Sequence, residues 1–118
     1  MFMGTRRPKT FLGDFELTVL LAVLRLDQEA YGAAILREIE QQTGRSVPGG
    51  ALYITLDRME AKGLIRSRLG DAGANRGGRP RRYVTVTNRG FAAVRASRAA
   101  LLNMMDGLDA HFRRSGES

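Results

Sequence analysis

The chain has 118 residues, 43% of them hydrophobic, which suits one compact domain and is too short for two ordinary ones. Lysine and arginine number 19 against 12 aspartate and glutamate, so the formal net charge is +7 and a polyanion is the expected partner. There is no cysteine, and the single His111 cannot form a histidine cluster. We therefore expect no disulfide, no metal site and no cofactor.

Most of the positive charge comes from arginine, because Lys9 and Lys62 are the only lysines. Arginine suits bidentate contacts with phosphates and guanine edges, although a genomic bias in base composition explains the excess equally well. The apolar run 19–26 is interrupted by Arg25 and is far shorter than the roughly 20 residues that span a bilayer. We expect a cytoplasmic protein without a membrane span, preceded by a basic tail at residues 1–10.

Apolar side chains at helical spacing predict three helices in the first half of the chain, over residues 11–26, 31–43 and 51–62. Gly44 and Gly63 are suited to end the second and third of these helices. A turn over residues 46–49 separates the two. The core-facing stripe predicted for the third helix consists of Leu52, Leu56 and Met59.

Beyond Gly63 the hydrophobic period changes from helical to alternating, which predicts strands at residues 65–69 and 81–86. The glycine-rich loop 70–79 joins them into a hairpin with a basic tip. Thr87 is a good N-cap for a last helix that ends near residue 112. The predicted fold class is therefore mainly α with a small β-hairpin, an α+β fold in the order helix, helix, helix, strand, strand, helix.

This order is the layout of a winged helix-turn-helix domain, here residues 11–87, in which the third helix reads DNA. An exposed Tyr53 near the start of that helix can donate its hydroxyl to a phosphate while its ring covers a sugar or a thymine methyl. The alternative is that Tyr53 packs under the wing. The residues expected to contact DNA from this helix are Gly49, Gly50, Tyr53, Ile54, Thr55 and Arg58.

The hairpin carries six arginines between residues 66 and 82 and one acid, Asp71. Arg76 and Arg79 on the glycine-rich tip are expected to enter a minor groove or to clamp phosphates, and Arg81 to join them. A glycine and arginine run is also typical of disordered RNA-binding segments. The predicted strands on both sides of this run favour the wing of a winged helix over a disordered segment.

The C-terminal segment 88–112 has large apolar residues at alternating steps of three and four, interrupted by Arg98, which is a heptad seam. A helix of this length extends roughly 37 Å, more than a three-helix core covers. We expect this long helix to join two protomers into a homodimer, with 113–118 as a tail. The alternative is packing on the first helix of the same chain. The predicted dimer residues are Phe91, Val94, Leu101, Met105, Leu108 and Phe112.

Four stretches are spread over nearly the whole chain: Leu12-Gly13-Asp14-Phe15-Glu16, Ala30-Tyr31-Gly32, the block 50–65, and Arg81-Arg82-Tyr83 with Thr87 and Gly90. Together they resemble a known family, the PadR-like transcriptional regulators. The resemblance implies a dimeric repressor whose third helix and wing contact operator DNA and whose C-terminal helix joins the protomers. It also implies small aromatic effectors, although the sequence has no Trp to stack a flat ligand.

An enzyme is not expected. His111 lies near the end of the chain, Ser46 has no histidine beside it, and the glycine-rich loop lacks the lysine of a phosphate-binding loop. The sequence predicts a regulator that binds double-stranded DNA at an inverted-repeat operator as a homodimer, and it leaves a small-molecule effector open. The alternative is a winged-helix module for protein contact or for non-specific nucleic-acid binding.

Overall fold

The computed structural model describes residues 12–70 and 80–117, with side chains up to residue 114. The basic tail at 1–10 and the predicted wing-tip contacts Arg76 and Arg79 lie outside these ranges. The predicted fold class is confirmed, because helices and one antiparallel hairpin follow in the expected order. The elements are α1 Asp14–Leu26, a 3₁₀ turn Asp27–Glu29, α2 Gly32–Thr43, α3 Gly49–Ala61, β1 Ile65–Leu69, β2 Arg82–Val86, α4 Asn88–Met105 and α5 Asp109–Glu117.

The helix ends differ from the prediction by a few residues. The first helix begins at Asp14, where the Gly13 amide donates to Glu16 Oε1 at 3.1 Å and closes the first turn. The third begins at Gly49, two residues earlier than predicted, directly after Pro48. Gly44, with φ 75°, ends the second helix in a left-handed conformation, as predicted.

The core lies between α1 and the elements wrapped around it. Val19, Leu20 and Val23 of α1 are buried. The predicted stripe of α3 is confirmed, since Leu52, Leu56 and Met59 are all at most 1% exposed. The hairpin joins the core through Ile65 and Val84, which are buried, whereas Leu69 at the other end of β1 is 70% exposed. The far part of the hairpin therefore projects from the body as a wing.

The hairpin has a third partner that the sequence did not predict. Strands β1 and β2 pair antiparallel, with Leu69 opposite Arg82. In addition, Tyr31 forms a bridge with Tyr83, and the Val84 amide donates to the Ala30 carbonyl at 2.9 Å. This pairing places the first turn of α2 against the middle of β2.

The prediction of one continuous helix over 88–112 is wrong. Thr87 caps α4 as predicted, since its Oγ1 accepts from the Gly90 amide at 3.0 Å. The helix then stops at Met105 because Gly107 adopts φ 83°, and α5 begins at Asp109. Residues 113–117, expected as a tail, belong to this last helix. With 18 residues, α4 is about 27 Å long, which is shorter than the roughly 37 Å expected for one continuous helix.

Candidate nucleic-acid interface

Helices α2 and α3 both begin without a side-chain cap. Neither the N-cap residue of α2, Tyr31, nor that of α3, Pro48, accepts a capping hydrogen bond on its side chain. The amides of a first helical turn have no partner inside the helix, and the helix dipole is positive there. The first turn of α3 holds Gly49 and Gly50, so its backbone is open to an approaching anion such as a DNA phosphate.

A groove of about 440 Å³ separates these helices from the start of β2. Tyr53 forms one wall and is 45% exposed, so it is neither fully free nor packed under the wing. Its hydroxyl lies against Gly32, where a β-carbon would overlap with it. The groove is lined by Tyr31, Gly32, Ala33, Tyr53, Pro80, Arg81 and Arg82.

Two arginines stack on tyrosines at or beside this groove. The Arg81 guanidinium lies 3.9 Å from the centre of the Tyr31 ring, and Arg68 lies 4.5 Å from that of Tyr83. The two tyrosine rings meet edge to face, with centroids 5.6 Å apart. Such cation–π contacts hold a guanidinium in place while its edge stays free to donate. The arrangement orients Arg81 toward the groove that Tyr53 lines.

Hydrogen bonds shift the pKa values of Tyr31 and Arg81. The bond that Arg37 donates to the Tyr31 hydroxyl, at 3.3 Å, lowers the pKa of Tyr31, and the charge of Arg81 acts in the same direction. A hydrogen bond with Tyr83 raises the pKa of Arg81 above its ordinary value. Arg81 therefore stays cationic at any physiological pH.

The structure brings together only some of the predicted DNA contacts on α3. Ile54 is 61% exposed on the outward face, next to Tyr53. The prediction that Thr55 contacts DNA is wrong. Thr55 is 5% exposed, because it points into the core between Leu52 and Met59, and it cannot reach a ligand. Arg58 is exposed but lies about 140° around the helix from Tyr53. The positive charge of Arg58 lowers the pKa of Glu16 on α1, so Arg58 lies on the side of α3 that faces away from the wing.

The sequence reasoning missed Tyr31, Tyr83, Arg37 and Arg68 as parts of the interface. Their proximity depends on the bridge between Tyr31 and Tyr83, which joins residues 52 positions apart in the chain. The signal in the sequence that could have pointed to Tyr31 was the Ala30-Tyr31-Gly32 stretch, which resembles the PadR-like family. Its Gly32 leaves space for the Tyr53 hydroxyl.

Apart from Val94, the predicted dimer residues are exposed apolar side chains on α4, on α5 and in the turn between them. Leu101, Met105 and Phe112 are each about half exposed. The prediction of Val94 as a dimer residue is wrong, since Val94 is 7% exposed and packs in the core of its own chain. Beside it, a groove of about 280 Å³ is lined by Leu17, Leu21, Val94, Arg98, Leu101, Leu102 and Met105.

The sequence model of the transcriptional regulator PadR-like family matches residues 20–96, more than half of the chain. The chain belongs to the PadR-like family. Members of this family are transcriptional regulators and not enzymes, which confirms both the resemblance and the expectation that the chain is not an enzyme. The PadR-like fold is a DNA-binding regulator fold.

Similar proteins agree with this family. The transcriptional regulator Rv3488 of Mycobacterium tuberculosis is 40% identical over 77 residues, which are 64% of this chain and 65% of that protein. A PadR family regulator from Eggerthella lenta is 28% identical, with a TM-score of 0.61 over 83% of this chain and 87% of the other. A PadR family regulator from Clostridium difficile, 22% identical, has the same fold at a TM-score of 0.63, covering 81% of this chain and 97% of the other.

Two further observations concern the described residues alone. Across 12–70 and 80–117, no helix combines the length and the apolar character that crossing a membrane requires. Within the same part of the chain, no group of three or more histidine, aspartate and glutamate side chains is placed to hold a metal ion.

Proposed function

We propose that this PadR-like chain binds an inverted-repeat operator in double-stranded DNA as a homodimer and represses transcription there. Residues 11–87 would form the DNA-binding domain and 88–112 the dimerisation segment. The observation that carries the proposal is the groove where Tyr53 of α3 faces the stacked Arg81 of the wing. A recognition helix and a basic wing on one side of the molecule match the two-part grip of a winged helix on a duplex.

In this proposal each contact has a chemical role. The open first turn of α3, with Gly49 and Gly50, lies against a phosphate and leads the helix into the major groove. Ile54 covers thymine methyl groups, because it is apolar and exposed on the outward face. Tyr53 donates its hydroxyl to a phosphate, and Arg81 binds the backbone beside it. Arg58 contacts backbone on the side of α3 that faces away from the wing.

The exposed apolar face of α4 and α5 supports the homodimer. Leu101, Leu102, Met104, Met105, Leu108 and Phe112 are all at least 37% exposed. Large apolar side chains exposed together mark an interaction surface, and a second copy of the same chain is the partner that the family resemblance favours. A two-fold dimer presents two recognition helices, so its operator is an inverted repeat with half-sites about one helical turn, roughly 34 Å, apart.

Footprinting on DNA upstream of its own gene tests the proposal. The wild-type chain is expected to protect an inverted repeat and to bind it at least a hundredfold more tightly than a scrambled duplex at one fixed salt concentration, about 3 kcal/mol of discrimination. Adding the chain to a transcription reaction should lower synthesis from that promoter. Equal affinity for both duplexes would instead favour non-specific binding, and no affinity for either would favour a protein-contact module.

Variants of Tyr53 then test its role. Tyr53→Phe keeps the ring and removes the hydroxyl, so it should weaken the operator and the scrambled duplex alike, by roughly fivefold for one hydrogen bond. Tyr53→Ala also removes the ring contact and should reduce the preference for the operator. If Tyr53→Ala leaves both affinities unchanged while the protein remains folded, α3 is not the reading element.

A further inference from the structure

Arg82, the first residue of β2, is bound differently from the other arginines of the wing that the structure describes. Its guanidinium reaches across to α3, where Nη1 donates to Asp57 Oδ1 at 3.0 Å and Nη2 donates to Glu60 Oε1 at 2.8 Å. Its Nε donates to Ser67 Oγ on β1 at 3.0 Å. All three guanidinium nitrogens are thus engaged within the chain, and 25% of the side chain is exposed.

The hydrogen bonds around Arg82 form a closed network. The Ser67 hydroxyl donates to the same Glu60 oxygen at 2.6 Å. The bonds from Ser67 and Arg82 lower the pKa of Glu60, so this carboxylate stays ionised. Burial alone would lower the pKa of Arg82, but its bonds to Glu60 and Asp57 raise it overall. The network therefore keeps its charges and connects β1, β2 and α3.

The two acids of this network lie on a surface that is proposed to face DNA. The Asp57 side chain is 72% exposed and the Glu60 side chain 40% exposed, on the side of α3 that faces the wing. Two carboxylates near a phosphate backbone oppose binding, since like charges repel over about one Debye length, roughly 8 Å. Arg82 offsets part of this charge at hydrogen-bond distance.

We infer that Arg82 is a positioning residue and not a phosphate contact. It fixes the wing against the recognition helix and offsets the negative charge of Asp57 and Glu60, so that α3 and the wing approach DNA as one unit. Arg81, next to it in sequence, stacks on Tyr31 and is the residue proposed above to contact the DNA backbone. The inference rests on the proposed DNA-binding function.

Affinity for the operator fragment, measured over a salt series with the full chain, tests this role. Arg82→Gln is expected to weaken binding about tenfold, a typical coupling for charges in one network. Combining it with Asp57→Asn and Glu60→Gln should return the affinity to within about threefold of wild type, because no unpaired acid remains. Arg82→Lys, which keeps the charge but lacks the fork that bridges two acids, should fall between.

Two controls separate this role from others. Arg81→Gln removes a proposed phosphate neutralisation from each protomer, so it should lower the salt slope by about 0.9 per protomer and about 1.8 per dimer. Arg82→Gln should change the slope by much less. Adding Asp14→Asn and Glu40→Gln to Arg82→Gln makes the same change in charge away from the network and should not restore affinity.

The outcomes are distinct. If the triple variant stays as weak as Arg82→Gln and the slope falls by about 1.8, Arg82 contacts phosphate and the inference is wrong. If the matched control restores affinity equally well, net charge and not the network explains the effect, and the inference is also wrong. If the wild-type chain binds no duplex, the proposed function fails and the role of Arg82 falls with it. Circular dichroism confirms that each variant is folded.

Discussion

Tyr53 owes its place in the groove to the absence of a side chain at Gly32. A β-carbon at Gly32 would overlap with the Tyr53 hydroxyl, which is the free end of a half-exposed side chain. Gly32→Ala should therefore leave the fold intact and displace the Tyr53 ring outward. We expect DNA affinity to fall about tenfold, with a midpoint of thermal unfolding within a few degrees of wild type.

The control for Gly32→Ala is Gly13→Ala, which adds the same methyl group where the nearest atom, Glu16 Oε1, is 3.8 Å away. It should bind DNA as the wild type does. In the double variant Gly32→Ala with Tyr53→Ala, the decrease in affinity should not exceed that of Tyr53→Ala alone, since both changes act on one ring. Additive decreases would show that Gly32 acts independently of Tyr53.

At the residue scale, the sequence predicted the burial of side chains correctly where burial follows from the spacing within one helix. Leu52, Leu56 and Met59 follow from helical spacing and are buried as predicted. Thr55 was misassigned because it lies at the edge of that stripe, where a polar residue is expected to face solvent. Tyr31 was missed because its position beside Tyr83 comes from pairing between distant segments, which local spacing does not encode.

At the element scale, one ion pair ties the start of α1 to the end of α3. Lys62 Nζ donates to Glu16 Oε2 at 2.9 Å, and the Glu16 side chain is 11% exposed. Burial alone would raise the pKa of Glu16, but the bonds from Lys62 and Gly13 and the charges of Lys62 and Arg58 together lower it below 4.5. The stability from this depressed pKa is present above pH 4.5 and is lost as the pH falls through the folded-state pKa.

Glu16→Gln should therefore lower the free energy of unfolding by about 1 kcal/mol at pH 7 and by much less near pH 3. Urea unfolding at both pH values measures this difference. Glu40→Gln, an exposed position on α2, should change stability by less than about 0.5 kcal/mol at either pH. A destabilisation by Glu16→Gln that is equal at both pH values would mean that packing, and not the ion pair, stabilises this junction.

The elements themselves were largely predictable, because each has a strong local signal. Helical spacing, the stops at Gly44 and Gly63 and the cap at Thr87 gave helix ends within a few residues. The break at Gly107 was not predicted, since the apolar seam continues through it from Met105 to Leu108. A glycine in a helix interior costs only about 1 kcal/mol, so sequence alone does not distinguish a tolerated glycine from a left-handed one.

At the scale of the whole molecule, the described part of the chain is not compact. Its principal extents are 53, 45 and 22 Å, and every residue from Ala99 to Arg114 is exposed. Packing of the last helix on its own chain, which was the alternative to the dimer, applies to the first half of α4, where Val94 belongs to the core. The second half leaves the core with its large apolar side chains uncovered. In water such a surface favours association, which supports the proposed homodimer.

Replacing Leu101 and Leu108 with glutamate tests that dimer. Both side chains are exposed in the single chain, 46% and 37%, so the change should not disturb the core. Sedimentation should show a dimer for the wild type and a monomer for Leu101→Glu with Leu108→Glu, because charges buried between protomers are strongly unfavourable. The monomer should bind one half-site and lose most of its affinity for the inverted repeat, since the two half-sites are then no longer linked.

Ala96→Glu with Asn103→Glu is the matched control for this variant. These residues are exposed, are also seven positions apart, and lie roughly 140–160° around α4 from Leu101. They add the same charge at the same spacing but on a face of α4 with small side chains, so this variant should remain dimeric and keep its affinity for the inverted repeat. If it becomes monomeric while the leucine variant stays dimeric, the protomers meet through the alanine face of α4. If both remain dimeric, the interface lies outside α4 and the turn that follows it, and the proposed dimer is wrong.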